Sequence, residues 1–341
     1  MPPSTSSPAP APAASESGCG RPVGHSSLSS SLRHLHATSP VAHTLLSPLL
    51  RLREHLLLGH YLPPRTRINR DFLRTFGYPL PWTAPKTLNE KLNCMKHLVR
   101  SPLQRTCADK LAVRDHVAKL IGPDHLIPLL ATFTRARDVT PSAIPSTSFI
   151  LKVNHGSGQN IIVRDASTAD FRAIRLQLTD WMHTSHYTLS CEQPYRHIPP
   201  RILAETLLLT PDGTLPLDYK IHCFAGHPEF IQVDIDRETA HRRNFYTPDW
   251  TPLPFLWCEW QNDTPLWPHA PDVPPPPPPL LHQMLTLAQT LSSPFPYVRV
   301  DLYLHTSRIY FGELTFYHGS GLERFSPPAT DLLLGQKIPW P

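Results

Sequence analysis

Glycine is scarce in this chain, 14 residues in 341, so the places where it does occur carry weight. Paired cysteines are missing: Cys19, Cys94, Cys107, Cys191, Cys223 and Cys258 stand singly, with no CxxC and no zinc-ligand spacing. That excludes a disulfide scaffold and a zinc module and predicts reduced, structural thiols in a cytoplasmic protein. Long apolar runs are missing too, none approaching the roughly 18 residues that span a bilayer, so no spanning helix is expected. Basic clusters with interleaved aromatics are also lacking, which argues against nucleic acid as partner. What remains is a mild formal charge of +5 with 20 neutral histidines, a balance that suits an anionic small-molecule or polysaccharide ligand. The scattered histidines, His34, His36 and His43 among them, reflect composition rather than a metal motif.

Residues 1–40, beginning MPPSTSSPAPAPAASES, are rich in Ser, Ala and Pro and predict a disordered tail. They lack the apolar stretch of a signal peptide and favour a dispensable extension or an upstream start over targeting. Residues 41–145 read as a helical N-terminal region. In VAHTLLSPLLRLREHLLLGHYLPP the leucines recur at helical spacing until Pro63 and Pro64. KTLNEKLNCMKHLVR and CADKLAVRDHVAKLIG predict two further helices, the second continuous up to Gly122. Strands are expected around 126–132 and 149–163, a helix over 168–184, and a strand at RILAETLLL. PLDYKIHCFAGHPEFIQVDIDR then alternates as antiparallel strands do. LLHQMLTLAQTLSS predicts a helix, and YVRVDLYLHTSRIYFGELTFYHGSG a hairpin followed by a loop. The six prolines of 274–279 form a rigid surface connector. This order gives an α+β chain built on antiparallel sheets, with one unit over 146–207 and another over 208–341.

Two of the rare glycines fall in FILKVNHGSGQNIIV, between alternating strands and beside Lys152. No helix and no GK[ST] ending follows, so this is not a Walker-type loop. A hairpin loop of His155, Gly156, Ser157 and Gly158 can nevertheless cover a phosphate, because glycine lets the backbone approach and its N–H groups point at an anion. An ordinary turn with an exposed lysine is the plainer reading of the loop taken alone.

The last hairpin supplies the other half. With a three-residue turn at His305 to Ser307, Arg299, Asp301, Glu313 and Thr315 share one face while Val298, Val300, Leu302 and Leu314 face a core. Carboxylates are the hard oxygen ligands that Mg²⁺ takes together with phosphate oxygens, and an arginine beside them can neutralise a phosphoryl group. A solvated strand face with an ordinary ion pair fits this hairpin equally well. Gly319, Ser320 and Gly321 form another loop able to approach an anion. Lys110 in ADKLAVRD and Lys152 can reach phosphates as point charges. Glu205 in ILAETLL sits at a strand end, where an adenine amino group or ribose hydroxyl can bind, or simply as an exposed carboxylate.

In this order the residues resemble the ATP-grasp superfamily, and within it the TupA-like (teichuronopeptide biosynthesis) group, from about residue 80 to the C-terminus. PKTLNEKLN, ADKLAVRDHV, FILKVNHGSGQNII, PPRILAETLL, LDYKIHCFAGHPEFIQVD, RRNFY, FPYVRVDLY, IYFGELTF and GSG carry the resemblance together. It implies ATP and Mg²⁺ between two α+β subdomains, and activation of a carboxylate as an acyl phosphate before attack by an amine. By position it implies that Lys110 and Lys152 are the nucleotide lysines, His155 to Gly158 the loop over the phosphates and Glu205 the acid near adenine and ribose. Arg299 would then steady the acyl phosphate and Asp301 and Glu313 would hold the metal. Lys220 and Arg243 would serve phosphate or substrate. Thr315 stands where many members have an asparagine ligand, and His318 where a proline is common.

The function these readings favour is an ATP-dependent carboxylate-amine ligase acting on a cell-envelope polysaccharide or its precursor, for example joining an amino acid to a uronic acid. Peripheral association with envelope-assembly machinery is compatible with it. A transferase using a nucleotide sugar is the alternative, with DID at 234–236 as its Asp-x-Asp metal motif.

Overall fold

The computed structural model describes residues 61–340, apart from 238, 262 and 271–274. The tail over 1–40, the leucine-rich stretch up to residue 60 and the first proline of the run, with the three residues before it, lie outside the described residues. The first described helix, α1 (Pro64–Phe76), starts where the sequence reading ended one. Pro64 takes the first helical position, where a missing N–H costs nothing and φ is already helical.

Helix α2 (Leu88–Leu98) opens on a capping box. The Thr87 side chain accepts the Glu90 N–H, and the Glu90 carboxylate accepts the Thr87 N–H. The continuous helix expected over CADKLAVRDHVAKLIG is instead broken into α3 (Pro102–Ala108) and α4 (Val113–Ile121). The cause is local: the Asp109 carboxylate accepts the N–H groups of Leu111 at 2.9 Å and Ala112 at 3.3 Å. A short acidic side chain thus competes with the helix for its own backbone donors and leaves Lys110 in the break.

A four-stranded antiparallel sheet follows in the order β1-β4-β2-β3, made of β1 (Leu129–Phe133), β2 (Phe149–Val153), β3 (Asn160–Val163) and β4 (Ile202–Thr206). Helix α5 (Phe171–Met182) covers it, burying Ile174 and Leu178 with Phe149, Leu151 and Val153 in one core. The boundary expected at 145/146 falls between β1 and the other strands of this sheet. Helix α6 (His186–Ser190) leads on to β4.

The second sheet has five antiparallel strands in the order β12-β11-β5-β6-β7: β5 (Asp218–Phe224), β6 (His227–Ile235), β7 (Arg242–Tyr246), β11 (Tyr297–His305) and β12 (Arg308–Thr315). Between β7 and β11 lie β8 (Leu256–Cys258), β9 (Trp260–Gln261), β10 (Thr264–Pro265) and helix α7 (Leu281–Ser292). Strand β8 pairs with β13 (Arg324–Ser326), and α8 (Ala329–Gly335) closes the described chain. Period-2 alternation sends Tyr219, Ile221, Cys223, Ile231, Val233, Val298, Val300 and Leu302 into one core with Met284, Ala288 and Leu291 of α7. No helix among the described residues is long and apolar enough to cross a membrane, and Cys94, Cys107, Cys191, Cys223 and Cys258 are free, buried thiols.

Candidate active site

The polar half of the same alternation makes a face of charge. Ladder partners place Thr315 beside Arg299 and His222, Glu313 beside Asp301, Lys220 and Gln232, and Asp218 beside Asp234 and Arg243. The hairpin reaches this arrangement by a route that differs from the expected one. Its turn has two residues, Thr306 and Ser307, both with positive φ, so His305 pairs with Arg308. That register would set odd positions opposite even ones. A bulge at Gly312, between the pairs Leu302 with Phe311 and Asp301 with Glu313, restores the parity. Glycine suits the close approach there: a Cβ would lie 3.0 Å from the Tyr303 ring and 3.1 Å from the Asp301 carbonyl oxygen, so either neighbour would have to give way.

Arg299 binds Asp301 through two parallel bonds of 2.7 Å and donates to Glu313 at 3.0 Å. Burial pushes the Asp301 carboxyl up to about 7, against the pull of Arg299 and Lys220. Burial would raise Glu313 as well, but Lys110 and then Arg299 outweigh it and hold that carboxyl down at about 2. Thr315 donates to the same Glu313 oxygen at 3.0 Å. Two facing carboxylates therefore differ sharply in their hold on a proton.

Lys110 brings the helix break to this face. Its ammonium lies 3.8 Å from Glu313 and donates to the Gly156 carbonyl, while its backbone N–H donates to Asn154 O at 3.1 Å. Lys152, on β2, pairs with Glu205 on β4 at 2.8 Å, two residues beyond its ladder partner Leu203 and on the same face. Sequence reasoning missed Arg114, which holds the other Glu205 oxygen at 2.8 Å and donates to the Ile127 carbonyl. Its spacing carried no signal, because the helix breaks between Lys110 and Arg114.

Not every candidate residue points into this space. The His155 ring is buried, with its nitrogens 3.2 Å from Asn154 Oδ1 and from the Trp181 carbonyl, so it braces the loop from behind. Gly156 is close-packed under the Gln159 side chain, Ser157 is exposed, and Gly158 takes a positive φ of 69°. Lys220 is held by Asp218 and by Asp234 at 2.9 Å. Arg243 is held by Asp234 at 3.0 Å and Glu323 at 2.8 Å, with Trp267 stacked over its guanidinium. Burial would raise Asp234, but Lys220 and Arg243 keep it well below the ordinary carboxylate range. That pairing tells against DID as a metal motif, since Asp234 is consumed by cations and Asp236 turns outward to Arg242. Glu323 and His318 complete the network behind Arg299; nothing local in the sequence marks Glu323, and His318 was marked only as standing where a proline is common, with no partner assigned.

A family model described as TupA-like ATPgrasp matches residues 90–339. The chain belongs to the TupA-like ATP-grasp family. ATP-grasp ligases use ATP and Mg²⁺. Solved structures similar to this chain include D-alanine–D-alanine ligases from Bacillus anthracis and Helicobacter pylori. The first is 13% identical, with 62% of this chain and 57% of that one covered at a TM-score of 0.36; the second is 14% identical, with 72% and 62% covered at 0.36. The macrocyclase MdnC bound with precursor peptide MdnA from Microcystis aeruginosa MRC is 10% identical, with 72% and 66% covered at 0.36. The chain thus spans less than two thirds of the two ligases it matches. A comparison with curated proteins finds no match.

The site of this ATP-grasp chain contains hard oxygen donors in Asp301, Glu313 and Thr315, and no cluster of three or more His, Cys, Asp or Glu fit for a metal occurs among the described residues. Two carboxylates with a hydroxyl beside them fit Mg²⁺ that arrives with nucleotide phosphates better than a metal caged by protein alone.

Proposed function

We propose that this protein is an ATP-dependent carboxylate-amine ligase that works through an acyl phosphate. The observation that carries the reading is the meeting of Lys110 with the Arg299–Asp301–Glu313 cluster, while the same lysine donates to Gly156 in the loop of the sheet that carries Lys152 and Glu205. In this reading residues 146–207 carry the phosphate loop and 208–341 the metal and catalytic groups. Lys110 and Lys152 neutralise phosphate oxygens, and Glu205 receives an adenine or ribose hydrogen-bond donor. Gly156, Ser157 and Gly158 bring backbone over the phosphates, braced by His155. Asp301 and Glu313, with Thr315 assisting, hold Mg²⁺, which supplies charge neutralisation across the transferred phosphoryl group.

The carboxylate oxygen of one substrate attacks the γ-phosphorus and ADP leaves. The amine of the second attacks the acyl carbon, loses a proton and expels phosphate. Arg299 steadies the group in flight, and Lys220 and Arg243, each paired with buried carboxylates, hold the substrate side of the site in shape. The acceptor we favour is a cell-envelope polysaccharide or its precursor, such as a uronic acid to be joined to an amino acid, handled in the cytoplasm where ATP is present. The family's description as TupA-like supports that choice.

Calorimetry with ATP, with and without Mg²⁺, on the wild type and Lys152→Ala is the first test. Metal-dependent binding weakened by the substitution is expected, followed by phosphate release with the right acid and amine. Preferential binding of a UDP-sugar would sink the ligase in favour of a nucleotide-sugar transferase.

A further inference from the structure

Arg299 has five N–H donors. Its ε and one η nitrogen serve Asp301 and Glu313, using three of them, and its other η nitrogen donates to His318 Nδ1 at 2.7 Å. One donor on that second η nitrogen remains. Because a guanidinium only donates, His318 Nδ1 must accept, and so the ring's proton sits on Nε2. From there it donates to Glu323 at 3.0 Å, an oxygen that Arg243 also holds at 2.8 Å. His318, Glu323 and Arg243 are all buried, and the Trp257 ring lies 4.2 Å from the His318 ring. Burial, with Arg299 and Arg243 nearby, keeps His318 well below the ordinary histidine range and so neutral.

We propose that His318 is a positioning residue: as a neutral imidazole protonated on Nε2, it fixes the rotation of the Arg299 guanidinium so that its one spare N–H faces the transferred phosphoryl group. The chain Arg243–Glu323–His318–Arg299 is then a rigid strut running from β7 to β11. A buried histidine that only filled space against Trp257 would need neither this tautomer nor this acceptor. The link to phosphoryl transfer rests on the ligase reading above, whereas the tautomer and the clamp do not.

The test separates the two atoms of the ring. In His318→Asn the side-chain oxygen sits where Nδ1 was and can still accept from Arg299; in His318→Gln the amide nitrogen replaces Nε2 and serves Glu323 alone; His318→Phe keeps only the shape. Nitrogen-15 NMR of the full chain should show the His318 Nδ1 bare and Nε2 protonated across neutral pH, with separate, slowly rotating Arg299 η resonances. The Nη1 resonances should persist in His318→Asn and collapse in His318→Gln and His318→Phe, while those of Nη2, held by Asp301 and Glu313, persist in all three. A protonated Nδ1, or Nη1 resonances that survive in His318→Phe, overturns the proposal. Mg²⁺–ATP affinity measured by calorimetry should stay within twofold in all three folded variants, and turnover should fall at least tenfold in His318→Phe with partial rescue in His318→Asn. Equal turnover in His318→Phe and wild type overturns the catalytic part. Failure of the wild type to bind Mg²⁺–ATP would remove the ligase reading while leaving the NMR result to decide the clamp.

Discussion

Lys152 and Glu205 form an ion pair of 2.8 Å that is mostly shielded from water, with Arg114 on the second carboxylate oxygen. Removing the lysine leaves Glu205 satisfied by Arg114, so Lys152→Ala should fold while losing one phosphate contact. Its Mg²⁺–ATP affinity should drop roughly ten- to a hundredfold in calorimetry, the range for losing a charge-assisted bond; unchanged affinity would remove Lys152 from the site. Glu313→Gln should keep the fold, as judged by circular dichroism, and lose at least about a hundredfold in turnover, because a neutral amide neutralises neither the metal nor Lys110. Residue types at their spacing made Lys110, Lys152, Arg299, Asp301 and Glu313 visible in the sequence. Arg114, His318 and Glu323 were not visible as partners, since each bonds a residue 91, 19 or 80 positions away.

At the scale of elements, the β11–β12 hairpin depends on two local departures that act together. A two-residue turn moves the register by one and the Gly312 bulge moves it back, so Asp301 meets Glu313. In Gly312→Val the side chain would drive into the Tyr303 ring and the Asp301 backbone. It should destabilise the fold by roughly 1–3 kcal/mol in denaturant titration, the usual cost of overpacking. It should also weaken the Mg²⁺ dependence of ATP binding more than ATP binding itself; an unchanged metal dependence would show that the bulge does not set the carboxylate pair. The helix break at Asp109 is a similar case. Hydrophobic periodicity runs through it from Cys107 to Ile121, and only the competition of one carboxylate for two N–H groups decides that the helix stops.

Across the whole molecule, α2 acts as a clasp. Its polar residues are buried because they bond the far end of the chain: Asn89 to Asp331 and the Glu323 carbonyl, Lys91 to the Gly335 and Ile338 carbonyls, Asn93 to Gly321, Lys96 to Ser320. Burial raises the Asp331 carboxyl to about 6, even though Asn89 donates to both its oxygens. Between roughly pH 4, where an unfolded aspartate releases its proton, and pH 6 the folded chain still holds that proton. Stability is therefore fullest below this window and falls as pH rises through it, by at most about 3 kcal/mol. Urea titrations at pH 4 and 6 should show this decline in the wild type and a flatter dependence in Asp331→Asn, whatever its absolute stability. An identical slope in both would assign the decline to other groups.

Alternation of apolar and polar residues, turn chemistry and the placing of a few glycines determined the antiparallel α+β architecture by themselves, because strand and helix periods act over neighbouring residues. The TupA-like ATP-grasp family was legible for the same reason, through short stretches kept in order. The pairing of Lys110 with Glu313, the clasp of α2 on the C-terminal residues and the seat of Arg299 between Asp301 and His318 were decided only by the tertiary structure. Each joins groups from separate elements, and polar or charged groups taken out of water there must find partners in one another, which no local pattern records.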